Sequence, residues 1–163
     1  AIVTGVQTCA LPILVDWKHN GLQAMGKSSS QYNRAMMLAE RAEQAAGHSG
    51  ADLTFTGHSL GGGLASVASE VTDKRAITFN AAGLNPNTVT EYLGISELPP
   101  NDKIDAYFVK GDLLSALQDP FHDFGVKAAR GNRKPLNDTE FRDPYSRHGM
   151  DAVAESMGIS IGD

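Results

Sequence analysis

One segment constrains the fold of this chain more than any other: an apolar stretch, a tight Gly-His-Ser-Leu-Gly turn and a run of small residues follow one another directly. Residues 53–56 are typical of a short buried strand, and residues 60–69 are small enough for a helix packed closely on a sheet. Between them, the G-x-S-x-G turn would place Ser59 at a sharp bend with a strained backbone. A strand that passes into a helix in this way predicts a parallel sheet covered by helices.

Strand-like and helix-like segments alternate along the rest of the chain. Residues 28–46 carry apolar and small side chains at helical spacing, with Gly47 after them as a helix stop. The other predicted elements are strands at residues 76–79 and 104–109 and short helices at residues 113–117 and 151–157. Loops are predicted at residues 99–100 and 131–143. The alternation predicts one α/β domain, with a mostly parallel sheet and helices on both faces.

Composition limits the partners of this domain. The 163 residues include 14 Lys and Arg against 19 Asp and Glu, for a net charge of −5, so the chain lacks the basic surface of a nucleic-acid-binding protein. No apolar run reaches the roughly 20 residues of a membrane-spanning helix. The single cysteine, Cys9, excludes an intramolecular disulfide and a cysteine zinc cage. No histidine–carboxylate cluster has metal-ligand spacing, so we expect neither a metal nor a cofactor.

The beginning of the chain, AIVTGVQTCALPIL, differs in character from the rest. It has no initiator Met and no basic residue before Lys18, so it does not match a secretory signal. The stretch resembles a translated sequencing-adapter artefact. We therefore predict that residues 1–13 are a non-native leader, and that residues 14–163 are a partial domain whose true N-terminus is missing. The alternative is a natural strand at residues 13–15 in a truncated fragment.

A second motif competes with the serine turn. Residues Gly21 to Ser28 formally match the phosphate-binding pattern G-x-x-x-x-G-K-S, with Lys27 as its lysine. A phosphate loop should follow directly from an apolar strand, and its Mg²⁺ needs a carboxylate at the end of another strand. Here residues 17–20 intervene, and the apolar run that ends in an aspartate, residues 13–16, is the loop's own strand. The context favours the serine motif, and a nucleotide binder that uses Lys27 is the alternative.

The serine needs an acid and a base, because its hydroxyl is a poor nucleophile near neutral pH. In enzymes with this turn the chain order is serine, acid, histidine. Asp112 comes just after the predicted strand 104–109, so it should project over the same sheet edge as Ser59. An alternative role for Asp112 is to cap the helix that begins at residue 113. The less well placed acids are Asp102, Asp105, Asp119 and Asp123.

Two histidines follow the serine. His148 lies in a predicted loop just before the last helix, which suits a base delivered by the final loop. His122 follows closely on the Asp112 segment and is less well placed, and either could be an exposed loop histidine. His58 is adjacent to Ser59, but its side chain should leave the turn in another direction. We expect His58 to pack rather than to transfer protons.

With these residues placed, the chain resembles a bacterial class 3 lipase, an α/β-hydrolase. Residues 52–84 carry most of the likeness, and the Gly-His-Ser-Leu-Gly-Gly turn within them is highly specific in that context. The other similar segments are Asp16-Trp17 with residues 26–35, residues 108–112 at the acid, and residues 148–150 at the base. The resemblance implies a partial α/β-hydrolase that cleaves carboxylic esters of lipids through an acyl-enzyme on Ser59.

The resemblance also assigns roles and partners. Asp112 and His148 would complete the catalytic triad, and the backbone N–H of Leu60 would bind the oxyanion. The partner would be a lipid or another ester, with transient contact to a lipid surface. The resemblance leaves open both a cytoplasmic location and secretion without a cleavable signal.

The chain departs from the lipase pattern before residue 16. Lipases of this class have an extra strand and a loop, usually Phe-Arg-Gly-Thr, that supplies a second oxyanion donor; here the adapter-like leader stands in their place. Losing one such donor costs about 10²–10³ in kcat, and a missing strand would expose a sheet edge. A catalytically dead fragment of a lipase is therefore a further alternative.

Overall fold

Five parallel strands form one sheet in a computed structural model of the protein, which describes residues 2–4, 29–114, 128–138, 140 and 142–159. The strands are β1 (Ile2–Thr4), β2 (Thr54–His58), β3 (Arg75–Phe79), β4 (Ile104–Val109) and β5 (Asn132–Leu136). Their order in the sheet is the same as their order in the chain. Since every neighbouring pair is parallel, all of these strands end at the same edge of the sheet.

The helices lie between or after the strands. They are α1 (Ser29–Ser49), α2 (Leu60–Thr72), α3 (Pro86–Leu93), α4 (Pro144–His148) and α5 (Met150–Ser156). The strand and helices predicted around the serine turn are present, and β4 has the predicted bounds. Residues 113 and 114 begin the helix predicted at 113–117. The rest of that helix, together with Asp119, His122 and Asp123, lies outside the described residues.

Side-chain alternation in the strands places helices on both faces of the sheet. Ala76 of β3 and Ile104 of β4 pack in one buried cluster with α1 and α2. Phe79 and Val109, at positions of opposite parity in the same strands, pack with Ala152 and its neighbours in α5. Successive side chains of a strand point to opposite faces, so the predicted α/β layering is confirmed.

Small side chains allow α2 to lie close to the sheet and to α1. Ala65 and Ala68 of α2 are buried against Phe55 and Ala76 of β2 and β3. On α1, the buried positions recur at helical spacing: Tyr32, Met36, Ala39 and Ala46. This packing holds α2 rigidly behind the turn that precedes it.

The predicted loop at residues 131–143 is wrong in its first part, because β5 occupies residues 132–136. Its sequence, Asn-Arg-Lys-Pro-Leu, has no apolar alternation. In the sheet it is the strand beyond β4, a position where a proline is tolerated. The guanidinium of Arg133 lies 4.3 Å from the centroid of the Phe108 ring, and the Lys134 ammonium lies 5.2 Å from that of Tyr107. Long basic side chains thus cover aromatic rings and stabilise a strand whose own pattern is polar.

The sequence analysis also left α3 unassigned. This helix begins after Asn85, whose side-chain oxygen accepts the N–H of Asn87, and it has Pro86 in its first turn. It ends at Gly94, which adopts a left-handed conformation with φ +68°. Capping residues therefore define this helix, which buries Val89 alone among its own residues.

β1 falls within residues 1–13, which the sequence analysis sets apart as a leader. It pairs in parallel with β2, with Ile2 opposite Thr54, at the sheet edge that was expected to be exposed. The alternative strand at residues 13–15 and the motif from Gly21 to Ser28 lie outside the described residues. Among the helices that the structure describes, none is long and apolar enough to cross a bilayer.

Candidate active site

Ser59 stands alone between β2 and α2, in a strained conformation with φ +56° and ψ −125°. Such a backbone costs about 1–3 kcal/mol and persists only where the surroundings hold it. The Ser59 N–H donates to the carbonyl of Phe79 at 3.0 Å, and the Ser59 carbonyl accepts from the N–H groups of Ala82 at 2.9 Å and Gly62 at 3.0 Å. The end of β3 and the first turn of α2 thus fix both sides of the strained residue.

Two glycines make this turn sterically possible. A Cβ on Gly57 would lie 2.1 Å from the carbonyl oxygen of Gly61, and a Cβ on Gly62 would lie 2.6 Å from the Cβ of Ala81. Gly61 itself has open space around the position of a Cβ. Of the two glycines of the G-x-S-x-G pattern, the turn therefore crowds Gly57 and not Gly61, because the close approach involves the carbonyl of Gly61 and not its α-carbon.

Three side chains from distant parts of the chain meet at the carboxyl edge of the sheet. The Nε2 atom of His148 lies 3.0 Å from the hydroxyl oxygen of Ser59, and its Nδ1 atom lies 3.0 Å from Oδ1 of Asp112. A carboxylate only accepts hydrogen bonds, so Nδ1 carries the imidazole proton and Nε2 is left to accept from the serine hydroxyl. This tautomer is the one that a general base requires.

Asp112 is completely buried. It follows β4 through a turn in which Gly111 adopts φ +76° and the Asp112 N–H donates to the carbonyl of Val109 at 3.0 Å. Its Oδ1 also accepts from the N–H of Leu114 at 2.9 Å. The carboxylate therefore meets both roles considered from the sequence, since it caps the segment that follows it and contacts the histidine.

His148 is the last residue of α4, so its expected place in a loop is wrong. Asp143 caps this short helix by accepting from the N–H groups of Tyr145 and Ser146, a contact that local sequence supports through Pro144 in the first turn. The imidazole is 6% exposed. A helix that ends at His148 brings the imidazole over the sheet edge.

His58 lies beside this imidazole, with 4.9 Å between the two ring centroids. Its Nε2 atom donates to the carbonyl oxygen of His148 at 2.6 Å. Burial lowers the pKa of His58 below the usual histidine value, although the hydrogen bond to His148 acts in the opposite direction. The ring packs against the candidate base and also binds its main chain.

Comparison with known proteins places the chain in a family. Residues 7–144 match the model of the Tle-like phospholipase domain. The chain belongs to this family. It is also 38% identical over 109 residues to an extracellular phospholipase A1 of Serratia liquefaciens; that alignment covers 64% of this chain and 33% of the relative. The predicted relation to lipases is confirmed at the level of a lipase or phospholipase family, while class 3 lipase membership and the truncation stay predictions.

The other acids of the phospholipase-like domain that the structure describes are placed differently from Asp112. Asp105 is the second residue of β4 and forms ion pairs with Arg75 at 2.9 Å and Lys134 at 2.7 Å. The Lys134 hydrogen bond is the main cause that lowers the pKa of Asp105. Asp102 precedes β4, at the opposite edge of the sheet. The contacts of Asp105 suit structural ion pairing, and the position of Asp102 keeps it away from Ser59.

A salt-bridge network around Asp138 binds α4 and the segment before it. Asp138, with a side chain only 3% exposed, accepts from the side chains of Arg142 at 2.8 Å and Arg147 at 3.0 Å. Burial alone would raise the pKa of Asp138, but hydrogen bonds lower it to about 2. They come from the Arg142 backbone N–H first, then from the Arg147 side chain, the Glu140 backbone N–H and the Arg142 side chain. Arg147 also crosses Gly111, where a Cβ would lie 2.6 Å from the guanidinium. Sequence analysis did not find this network.

The described part of the phospholipase-like domain contains no group of three histidine, cysteine, aspartate or glutamate side chains that could hold a metal ion. Leu60 is the first residue of α2, so its N–H lies at the amino end of a helix, where backbone donors favour negative charge. The Leu60 N–H is therefore a candidate donor to negative charge that develops beside Ser59.

Proposed function

We propose that this domain hydrolyses carboxylic esters of lipids, with phospholipids as the preferred class, through an acyl-enzyme on Ser59. The observation that carries the proposal is the continuous contact from Ser59 through His148 to Asp112, with 3.0 Å at each step. The phospholipase family and the phospholipase A1 relative support a phospholipid substrate. Because the chain spans about a third of that relative's length, the activity of the whole protein is part of the proposal.

The geometry supports the following reaction. His148 Nε2 takes the proton of the Ser59 hydroxyl while Oγ attacks the ester carbonyl, and Asp112 stabilises the resulting imidazolium. The Leu60 N–H donates to the oxyanion of the tetrahedral intermediate. The imidazolium then gives its proton to the departing alcohol, which leaves the acyl group on Ser59. Water, deprotonated by His148, releases the fatty acid in the second half of the reaction.

A fluorophosphonate probe tests the nucleophile directly, because it phosphonylates an activated serine. We expect the protein to be labelled and the Ser59→Ala variant to remain unlabelled. Ser69→Ala is the matched control, since Ser69 lies in α2 and donates to the carbonyl of Lys74 at the far end of that helix. Equal labelling of wild type and Ser59→Ala would refute the assignment. Fatty-acid release from phosphatidylcholine vesicles, compared with triacylglycerol emulsions, identifies the substrate class.

Further measurements separate the alternatives. A dead lipase fragment predicts that labelling and ester turnover are both lost in this chain and restored in a longer product of the gene. A nucleotide binder predicts retention on an ATP resin that Lys27→Ala abolishes. The family match runs through residues 21–28, which supports a place for that segment in the phospholipase domain.

A further inference from the structure

Asn80 follows β3 directly and is 1% exposed, with a left-handed backbone at φ +41°. Its Oδ1 accepts from the N–H of Val109 at 2.9 Å. Its Nδ2 donates to the carbonyl oxygens of Arg147 and His148, both at 3.0 Å. The partners fix the orientation of the amide, because the oxygen faces a donor and the nitrogen faces two acceptors.

These contacts join the two segments that bear the acid and the base. Val109 is the last residue of β4 and accepts the N–H of Asp112 in the turn that follows. Arg147 and His148 end α4, where carbonyl groups have no partner within the helix. The Asn80 side chain therefore fastens the main chain that carries the base to the strand that leads to the acid.

His58 adds a second contact to the same carbonyl oxygen of His148, at 2.6 Å. A carbonyl only accepts, so His58 Nε2 carries a proton. A ring that remains neutral places no positive charge next to the imidazole of His148, and burial of His58 favours the neutral form. Two donors from the ends of β2 and β3 thus hold one backbone atom of the candidate base.

We propose that Asn80 and His58 are positioning residues, which fix the main chain at His148 so that its Nε2 stays within hydrogen-bond distance of Ser59. The inference rests on the proposed function and extends it. α4 has only five residues, and so short a helix is not stable without outside contacts. A displacement of a catalytic group by about 1 Å costs about 10²-fold in rate, so these contacts should act on turnover more than on substrate binding.

Two substitutions and their combination test the proposal. Asn80→Gly removes the amide and tolerates the positive φ, and His58→Leu removes the ring donor. We expect each to slow fluorophosphonate labelling of Ser59 about 10-fold and the pair to slow it about 10²-fold, the cost of a displaced catalytic group. With a soluble ester, kcat should fall while KM stays within about twofold, the pattern of a lost transition-state interaction.

Conservative and structural controls separate positioning from general destabilisation. His58→Gln keeps an N–H donor and should recover most of the rate that His58→Leu loses. Ser69→Ala removes a similar buried contact from a side chain to a carbonyl, away from the site, and should lower the melting temperature without slowing labelling. If Asn80→Gly does not fold, the comparison of His58→Leu with His58→Gln still decides.

The two proposals fail in different ways. If wild type is not labelled, the proposed function is refuted. If wild type is labelled and the folded Asn80 and His58 variants react at the wild-type rate, the positioning roles are refuted and the nucleophile assignment stands. Equal rates for His58→Leu and His58→Gln would likewise overturn the role of the His58 donor.

Discussion

The two ends of the Ser59–His148 contact are held in different ways. Ser59 depends mainly on residues near it in the chain: Gly57 and Gly62 permit the turn, and β2 and α2 on either side are both packed in the core. The residues at and after the end of β3 add backbone hydrogen bonds to it. His148 depends on side chains far away in sequence, chiefly Asn80 and Asp112. The position of the proposed nucleophile thus depends mainly on neighbouring residues, and the position of the proposed base depends on tertiary contacts. Changes near the two ends should therefore have different consequences.

The largest effect is expected at Asp112, the proposed acid. Asp112→Asn should lower kcat by about 10⁴-fold, because an amide no longer holds the imidazole in the required tautomer. Asp105→Asn is the control, since Asp105 lies near the start of the strand that leads to Asp112 and pairs with Arg75 and Lys134; it should leave kcat within about twofold. Steady-state hydrolysis of a soluble ester measures both. Comparable losses in the two variants would argue against Asp112 as the acid.

The turn at Ser59 is tested through the stability of the fold instead. Gly57→Ala should destabilise the fold by about 3 kcal/mol, because its Cβ would collide with the Gly61 carbonyl and the packed core resists such overpacking. Gly61→Ala meets open space and should change the free energy of unfolding by less than about 1 kcal/mol. Urea denaturation compares them. A Gly61→Ala variant as unstable as Gly57→Ala would contradict the crowding described for the turn.

The smallest expected effect concerns the salt-bridge network around Asp138. The pKa of Asp138 is about 2 in the folded protein and lies near 3.9 in an unfolded chain. A carboxyl group with a depressed pKa stabilises the fold above its unfolded value, and this contribution is lost as pH falls through the folded value. The stability difference between wild type and Asp138→Asn should therefore be full at pH 6 and shrink between about pH 4 and pH 2.

Thermal unfolding of both proteins across that range measures the difference, and ester hydrolysis at pH 7 adds the link to the base through Arg147. A difference that is constant from pH 6 to pH 2 would show that the Asp138 contacts do not act through its charge. If Asp138→Asn lowers the stability without lowering the activity, the network does not help to position His148.

Local patterns predicted much of the fold and failed at particular places. The strand, turn and helix around Ser59 are adjacent in the chain, so residue type and spacing were enough. Asp112 could be chosen because side chains after parallel strands collect at one edge. β5 was missed because its polar residues, such as Arg133, are stabilised by aromatic rings of β4, which no local pattern reveals. Asn80 was also missed. It lies at the same sheet edge as Ser59, and its position as a polar residue directly after β3 was the signal that could have found it.

The sequence by itself determined the α/β layering, the turn at Ser59 and the residue types that could complete a triad, because these depend on periodicity and on neighbours in the chain. Tertiary structure decided that His148 ends a short helix, that Asn80 and His58 bind its carbonyl, and that Asp138 supports Arg147 beside it. These contacts join residues far apart in the chain. Their geometry exists only once the sheet has brought the strand ends together.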